Sequence, residues 1–215
     1  MANTLADRLT SAAFAFRGYN TTNLGRTAEL LAHPAYGSIV ADHLREASAV
    51  TSDVVCRRVD LVDRVRRQEE TTLASYDEAI ALIVAVELAQ IKLLEQFFDV
   101  PYAGAKLAYG YSLGELTAVV ASGLFAMQDA LRLPLSVAAD AVALTEDVTL
   151  GVLFSRGPQL DIDQVQRLCL DINLTGKGVI GISSILAPNT VLLLGQGDTL
   201  DRFAATMSDA FPARV

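Results

Sequence analysis

A serine between two glycines constrains the fold of this chain more than any other feature. The segment KLAYGYSLGELT (residues 106–117) sets Ser112 between Gly110 and Gly114, where a short apolar strand ends and a helix begins. A nucleophile elbow has this setting, because a sharp strand-to-helix turn needs flanking residues that lack a Cβ. The pattern predicts an α/β fold in which Ser112 projects near the positive end of the helix, and in which the backbone N–H of Leu113 stabilises an oxyanion. The structural alternative is an ordinary turn with a capping serine.

The overall charge of the chain argues against several classes of binding protein. Its formal net charge is −8, which disfavours binding to nucleic-acid phosphates and to anionic membranes. Hydrophobic residues make up 52% of the 215 residues, enough for a sizeable globular core. Cys56 and Cys169 lack metal-ligand spacing, and the N-terminus lacks the apolar run of a secretory signal. We therefore expect a cytoplasmic protein with reduced thiols and no metal site, with a disulfide between the two cysteines as the alternative.

The most apolar stretch, AIALIVAVELAQIKLLEQFF (residues 79–98), is long enough to span a bilayer. Glu87, Lys92 and Glu95 interrupt it, and each charge near a membrane centre costs about 2.5–3.5 kcal/mol. The sequence therefore predicts a long helix over residues 73–98 that is buried in protein rather than in a membrane.

Other segments before residue 147 alternate between strand and helix signals. Residues 12–16 (AAFAF) predict a buried first strand. Residues 26–50 predict two helical pieces separated at His33-Pro34, since proline disfavours helix in the residue before it. Pro134 predicts a kink or break in a later helix.

After about residue 147 the order of elements becomes strand-helix-strand-strand-helix-strand. Asp161 is expected to cap the first helix of this part. The order is the split βαβ pattern of a ferredoxin-like unit. The closing PARV (212–215) predicts the start of its last strand, so we expect the chain to be a fragment of a longer one. The sequence thus predicts two domains, residues 1–147 and an incomplete 148–215.

Two motifs resemble one enzyme family. GYSLGE (110–115) resembles the GHSxGE nucleophile motif of malonyl-CoA:acyl-carrier-protein transacylases and of the acyltransferase domains of polyketide and fatty-acid synthases. FAFRGYNTTNLGR (14–26) is similar to that family's N-terminal FxFPGQGSQxxGM loop; the positions in register are Phe14, Phe16, Gly18 and Gly25. The resemblance covers nearly the whole chain. It implies an α/β fold with an α/β-hydrolase-like core and an inserted ferredoxin-like subdomain.

The resemblance also implies a reaction. In this family an acyl group moves from coenzyme A to a serine and then to the phosphopantetheine thiol of an acyl carrier protein. Ser112 matches the nucleophile, malonyl is the default acyl group, and an acyl carrier protein and acyl-CoA are the implied partners. No cofactor is implied beyond the coenzyme A thioester, which is a substrate. The implied oxyanion hole uses the backbone N–H groups of Leu113 and Tyr19, the latter at the position of a loop glutamine.

Three features depart from the family motifs. Tyr111 replaces the histidine of GHSxGE, FPGQGSQ has become FRGYNTT, and Val137 stands where malonyl-selective members have an arginine. A charged hydrogen-bonded pair contributes about 1.5–3 kcal/mol, so its loss predicts a preference for malonyl over neutral acyl groups that is about tenfold to a hundredfold weaker. Val137 is therefore a candidate acyl-pocket residue.

A serine nucleophile needs an adjacent base, and the only two histidines, His33 and His43, both precede Ser112. In the family the catalytic histidine follows the ferredoxin-like unit, so we expect the base beyond Val215 and the chain as given to be nearly inactive. Two alternatives stay open. One is a catalytically impaired relative that binds a carrier protein or synthase partner, for example through the arginines of residues 57–67. The other is a generic α/β-hydrolase esterase that uses the same turn.

Overall fold

Two units, Met1–Val142 and Ala143–Val215, divide the chain, and each has its own hydrophobic core. The structure is a computed structural model that describes residues 5–211. The elements up to the end of the first unit are β1 (Ala13–Phe16), α1 (Thr27–Ala32), α2 (Gly37–Val54), α3 (Leu61–Arg66), α4 (Tyr76–Phe98), β2 (Leu107–Gly110), α5 (Gly114–Ala121), α6 (Met127–Ser136) and α7 (Ala138–Leu144), the last of which runs into the second. The elements of the second unit are β3 (Val148–Phe154), α8 (Ile162–Asn173), β4 (Ile180–Ala187), β5 (Thr190–Gln196) and α9 (Thr199–Ala210).

Helix α4 forms the centre of the first unit, as its apolar sequence predicts. Every residue from Glu78 to Glu87 is buried, and α2 packs along the helix. An all-round apolar helix must be buried to remove its whole surface from water, whereas an amphipathic helix needs only one covered face. Among the described residues, no helix is both long enough and apolar enough to cross a membrane.

The strand that carries the Gly-x-Ser-x-Gly turn pairs with the first strand of the chain. β1 and β2 run parallel, with Phe16 opposite Gly110, so both strands end at the same edge. The prediction that residues 12–16 are buried is wrong, because only Phe16 is fully buried and Ala13 and Ala15 are exposed. The reason is that the described part of this sheet has two strands with one face uncovered.

The breaks between helices lie close to the predicted positions. α1 and α2 are separate helices on either side of Pro34, which confirms the predicted interruption. Pro134, however, lies inside α6, and the break comes three residues later at Val137, whose φ is −109°. Proline removes one helical hydrogen bond without ending the helix at once, since two more residues complete the turn.

The second unit is an antiparallel sheet with strand order β3-β5-β4 and two helices, α8 and α9. Its first five elements follow the predicted order, and the predicted strand PARV lies outside the described residues. Asp161 caps α8 by accepting a hydrogen bond from the Gln164 N–H at 3.1 Å, as predicted. Asp198 occupies the same position before α9 but accepts no capping bond.

Candidate active site

Ser112 lies in a tight turn between the end of β2 and the start of α5. Its φ is +55°, a left-handed conformation that costs an L-residue about 1–2 kcal/mol. The side chain is exposed, and its Oγ makes no hydrogen bond to any residue that the structure describes. The backbone thus makes the sharp strand-to-helix turn that a nucleophile elbow needs, and the hydroxyl differs from that of a capping serine, which would accept a backbone N–H.

Two glycines allow the backbone to crowd around Ser112. A Cβ on Gly110 would lie 2.1 Å from the Gly114 carbonyl carbon, and a Cβ on Gly114 would lie 2.2 Å from the Phe16 oxygen. Both contacts are with backbone atoms, which cannot rotate away. The turn at Ser112 therefore requires glycine at both positions, as the motif suggests.

The loop after β1 lies directly against this turn. A Cβ on Gly18 would be 2.9 Å from the Ser112 Cβ and 3.6 Å from its Oγ, and the Tyr111 N–H donates to the Phe16 carbonyl at 3.0 Å. Within the described residues, neither the Tyr19 N–H nor the Leu113 N–H has an internal acceptor. Both N–H groups are thus available to stabilise a negative oxygen.

A buried polar network fixes the rest of this loop. Asn23, which is only 1% exposed, donates to the Asn20 carbonyl and to the Thr71 hydroxyl. The carboxylate of Glu70 accepts the N–H groups of Asn23, Leu24 and Thr71. Burial alone would raise the pKa of Glu70, but these backbone hydrogen bonds outweigh it and lower the pKa. The loop is therefore held by several independent bonds.

Glu87 lies beside the serine turn, although the sequence indicates it only as a charge that interrupts an apolar helix. Its two carboxylate oxygens accept the Arg17 N–H at 2.7 Å and the Thr117 hydroxyl at 2.6 Å. The signal in the sequence is a lone acidic residue amid the apolar residues 79–89. A buried carboxylate in such surroundings is retained only if it has hydrogen-bond donors.

Tyr111 and Val137 are both half-exposed, at 53% and 44%. Val137 lies at the end of α6, between two residues that line a cavity of about 510 Å³. Most of its lining residues are apolar, but Arg57, Asp77 and Ser136 also line it. Tyr76 in the same wall packs edge-on against Tyr19 at 5.3 Å between ring centroids. Arg132 pairs with Asp53 at 2.9 Å. It therefore does not take the place of the arginine that malonyl-selective family members have at the position of Val137.

Neither histidine contacts Ser112. His33 stacks on Tyr36 at 3.8 Å and accepts the Ala35 N–H through Nδ1. His43 pairs its Nδ1 with the Ile39 carbonyl at 2.9 Å. The described part of the chain therefore places no imidazole against the serine.

The arginines of residues 57–67 are largely occupied by carboxylates of the same unit. Arg57 binds Asp77 and Glu78, Arg64 binds Glu78, and Arg67 binds Asp63. Internal pairing of this kind leaves less free positive charge for an acidic partner than the sequence suggests. Among the described residues there is no cluster of three potential metal ligands, and both cysteines are free thiols.

Comparison with known proteins identifies the fold through structure alone. No family model matches the chain, and no curated protein matches it by sequence. Solved structures do match. MCAT from Streptococcus pneumoniae gives a TM-score of 0.69 at 22% identity, over 94% of this chain and 60% of that one. FabD from Acinetobacter baumannii gives 0.68 at 22% identity, over 96% of this chain and 63% of that one.

A third structure contains a type II polyketide-synthase acyl-carrier protein in complex with its malonyl-transacylase. It gives a TM-score of 0.64 at 22% identity, over 94% of this chain and 60% of that one. The chain thus spans about three fifths of the length of the structures it matches. The conclusion rests on the α/β fold, on the strained serine in a strand-to-helix turn and on these matches. Over the part that it covers, this chain has the fold of the malonyl-CoA:acyl-carrier-protein transacylases and polyketide-synthase acyltransferase domains.

Proposed function

We propose that this chain is the serine-bearing part of an acyltransferase that moves an acyl group from a coenzyme A thioester to the thiol of an acyl carrier protein. The turn at Ser112 carries the proposal, because an exposed serine is held at φ +55° beside two backbone N–H groups that have no internal acceptor among the described residues. The fold shared with malonyltransferases supports it, and the neighbour in complex with an acyl-carrier protein supports the choice of partner.

In the first half-reaction Ser112 Oγ attacks the thioester carbonyl carbon. The new C–O bond forms as the hydroxyl proton passes to a base, and the oxyanion accepts hydrogen bonds from the Leu113 and Tyr19 N–H groups. Collapse breaks the C–S bond, and the coenzyme A thiolate takes the proton from the base. In the second half-reaction the carrier-protein thiol attacks the ester, the C–O bond breaks, and Ser112 regains its proton.

The described residues place no imidazole where it could serve as this base, since His33 and His43 are bonded elsewhere. We propose a histidine on a further segment of the polypeptide or on a second chain. Removal of the base from a serine triad lowers turnover by about 10⁶-fold in a well-studied protease. The 215 residues alone should therefore acylate very slowly, and addition of the segment that carries the histidine should restore the rate.

We also propose that the acyl group need not be malonyl. Val137 offers no positive charge for a free carboxylate, and Arg132 is paired with Asp53. The cavity next to Tyr76 is the candidate acyl pocket, and the arginine in its wall, Arg57, is paired with Asp77 and Glu78. Val137→Arg should raise the ratio of malonyl to acetyl transfer by about tenfold to a hundredfold. An unchanged ratio of malonyl to acetyl transfer would show that residue 137 does not determine the acyl preference.

We infer further that the second unit is a ferredoxin-like subdomain inserted into an α/β-hydrolase-like core. The order β3-α8-β4-β5-α9 and the antiparallel sheet β3-β5-β4 supply five of the six elements of the split βαβ pattern. A longer chain in which residues after Phe211 pair with β3 would establish the sixth.

Intact-protein and peptide mass spectrometry test the proposed activity. The full-length protein is incubated with malonyl-, acetyl- and longer acyl-CoA, with Ser112→Ala as the control. We expect an acyl ester on Ser112 that disappears when an acyl carrier protein is added. Absence of any adduct from all of these thioesters, or hydrolysis of a simple ester without transfer, would reject the acyltransferase in favour of an inactive relative or an esterase.

A further inference from the structure

The carboxylate of Glu87 joins two pieces of main chain that must meet at Ser112. Glu87 lies on α4 and is 8% exposed. One oxygen accepts the Arg17 N–H, one residue before Gly18, and the other accepts the hydroxyl of Thr117, near the start of α5. Gly18 approaches the Ser112 side chain, and α5 begins two residues after Ser112. The carboxylate therefore bridges the loop and the helix on either side of the turn.

Burial of the Glu87 carboxylate costs free energy, and packing of the helix does not require a carboxylate at this position. Among the described residues, no Lys, Arg or His side chain lies within ion-pair distance of Glu87; the guanidinium of Arg17 binds the Thr22 and Asn23 carbonyls instead. Burial raises the pKa of Glu87 because desolvation disfavours the charged form, and this outweighs the hydrogen bonds from Thr117 and the Arg17 N–H and the nearby charge of Arg17, which all lower it. A leucine at this position of an apolar helix would avoid that cost.

The residue that faces Glu87 also departs from the family motif. In FPGQGSQ the position of Arg17 is a proline, which has no backbone N–H to donate. In this chain the position has an N–H, and a buried carboxylate accepts it at 2.7 Å. The donor thus lies in the segment that replaces the usual loop sequence, and its acceptor comes from α4, 70 positions away.

We propose that Glu87 is a positioning residue that holds the Arg17–Tyr19 loop in place against the Ser112 turn, so that the Tyr19 N–H points to the oxyanion. The effect on reactivity rests on the proposed acyltransferase function, whereas the effect on the loop does not. Displacement of a catalytic group by about 1 Å can lower a rate by about a hundredfold.

The experiment compares Glu87→Met, Glu87→Gln and Thr117→Val with a matched control, Glu78→Met. Glu78 lies on the same helix and is also 8% exposed, but it binds Arg57 and Arg64 and not the Arg17 N–H. Its loss therefore controls for removal of a buried carboxylate from α4. Methionine fills the volume without a polar group, and glutamine keeps an oxygen for the Arg17 N–H. Far-UV circular dichroism establishes that each variant is folded.

The first measurement is amide hydrogen exchange in the peptide that contains Arg17, Gly18 and Tyr19. We expect exchange of the Arg17 amide to accelerate at least about tenfold in Glu87→Met, where its acceptor is lost. Glu87→Gln should retain the protection and Thr117→Val should lose part of it. Glu78→Met, which loses the pairs with Arg57 and Arg64, should not accelerate the Arg17 amide selectively over the other amides of the first unit. Equal protection in Glu87→Met and Glu78→Met overturns the proposal, whether or not the protein is an acyltransferase.

The second measurement is the rate at which Ser112 of the full-length protein reacts with a fluorophosphonate and with acyl-CoA. We expect Glu87→Met to lower the maximal rate about tenfold to a hundredfold with little change in half-saturating concentration, and Glu87→Gln to stay within about threefold. An unchanged maximal rate refutes the effect on reactivity. If wild type forms no ester with any acyl-CoA, the acyltransferase proposal fails, and the exchange comparison still decides the role of Glu87.

Discussion

Replacement of Gly110 by alanine tests the geometry of the serine turn directly. The new Cβ would lie 2.1 Å from the Gly114 carbonyl carbon and 2.2 Å from both the Gly114 oxygen and the Glu115 nitrogen. An ordinary contact needs about 3.4 Å or more, so three backbone atoms would have to move by more than about 1 Å. Overpacking typically costs about 1–3 kcal/mol, and rigid backbone neighbours place this case at or above the upper limit. We expect a loss of at least about 3 kcal/mol.

Tyrosine fluorescence during urea unfolding is the appropriate assay. All six tyrosines of the chain lie in Met1–Val142 and the chain has no tryptophan, so the signal reports the first unit alone. With a urea dependence of about 1–3 kcal/mol per molar, the midpoint should fall by about 1–3 M.

Gly104→Ala in the same unit is the control for this substitution. Its Cβ would meet side chains rather than backbone: Leu9 Cδ2 at 2.6 Å and Cγ at 3.3 Å, and Pro101 Cγ at an ordinary 3.8 Å. The Leu9 side chain can rotate, whereas a backbone neighbour cannot. We expect it to cost less than about 1 kcal/mol. Coincident midpoints for the two variants would refute the argument that Gly110 is required by backbone crowding.

Three further substitutions test other parts of the structure. Burial opposes the charge of Glu78, but hydrogen bonds from Arg57 and Arg64 outweigh it and lower its pKa; this stabilisation is complete above the carboxyl's unfolded pKa and is lost as pH falls through the folded pKa. Glu78→Gln should therefore destabilise the first unit at pH 7. It should also weaken the dependence of the urea midpoint on pH between about pH 5 and pH 2, and an unaltered pH dependence would contradict this. Asp161→Ala should cost about 1 kcal/mol because it removes a side-chain cap. Asp198→Ala, which loses only an exposed pair with Arg202, should cost less than about 0.5 kcal/mol; equal losses by circular dichroism would argue against the cap. Leu82→Ala, at a fully buried position of α4, should cost about 2–5 kcal/mol by tyrosine fluorescence, against less than about 0.5 kcal/mol for the exposed Leu133→Ala.

Local signals were sufficient to predict most elements of this fold. The apolar residues 79–98 predict α4, the glycines around Ser112 predict the turn, and Asp161 predicts the start of α8. Each signal acts through residues that are neighbours in sequence. The exposed face of β1 was not predictable in this way, because burial of a strand depends on which other elements cover it.

The long-range parts of the candidate site were harder to predict. Contacts between Glu87, Arg17 and Thr117 join residues up to 70 positions apart, and no local pattern specifies them. The arginines of residues 57–67 suggest a basic patch by count, but Asp77 and Glu78 neutralise part of it from another helix. The sequence itself shows that no histidine follows Ser112 in these 215 residues, so the proposed mechanism needs a base other than His33 and His43.

Because the backbone of Ser112 is left-handed, the residue that would be most stable at this position differs from the residue that the proposed chemistry needs. Glycine would adopt φ +55° without a steric penalty, and after allowance for its greater freedom in the unfolded chain Ser112→Gly should stabilise the first unit by up to about 1 kcal/mol. A search for thermostable variants would therefore tend to select the loss of this hydroxyl. Any engineering of the protein for stability should hold position 112 fixed, since the most favourable substitution there is also the one that removes the proposed nucleophile.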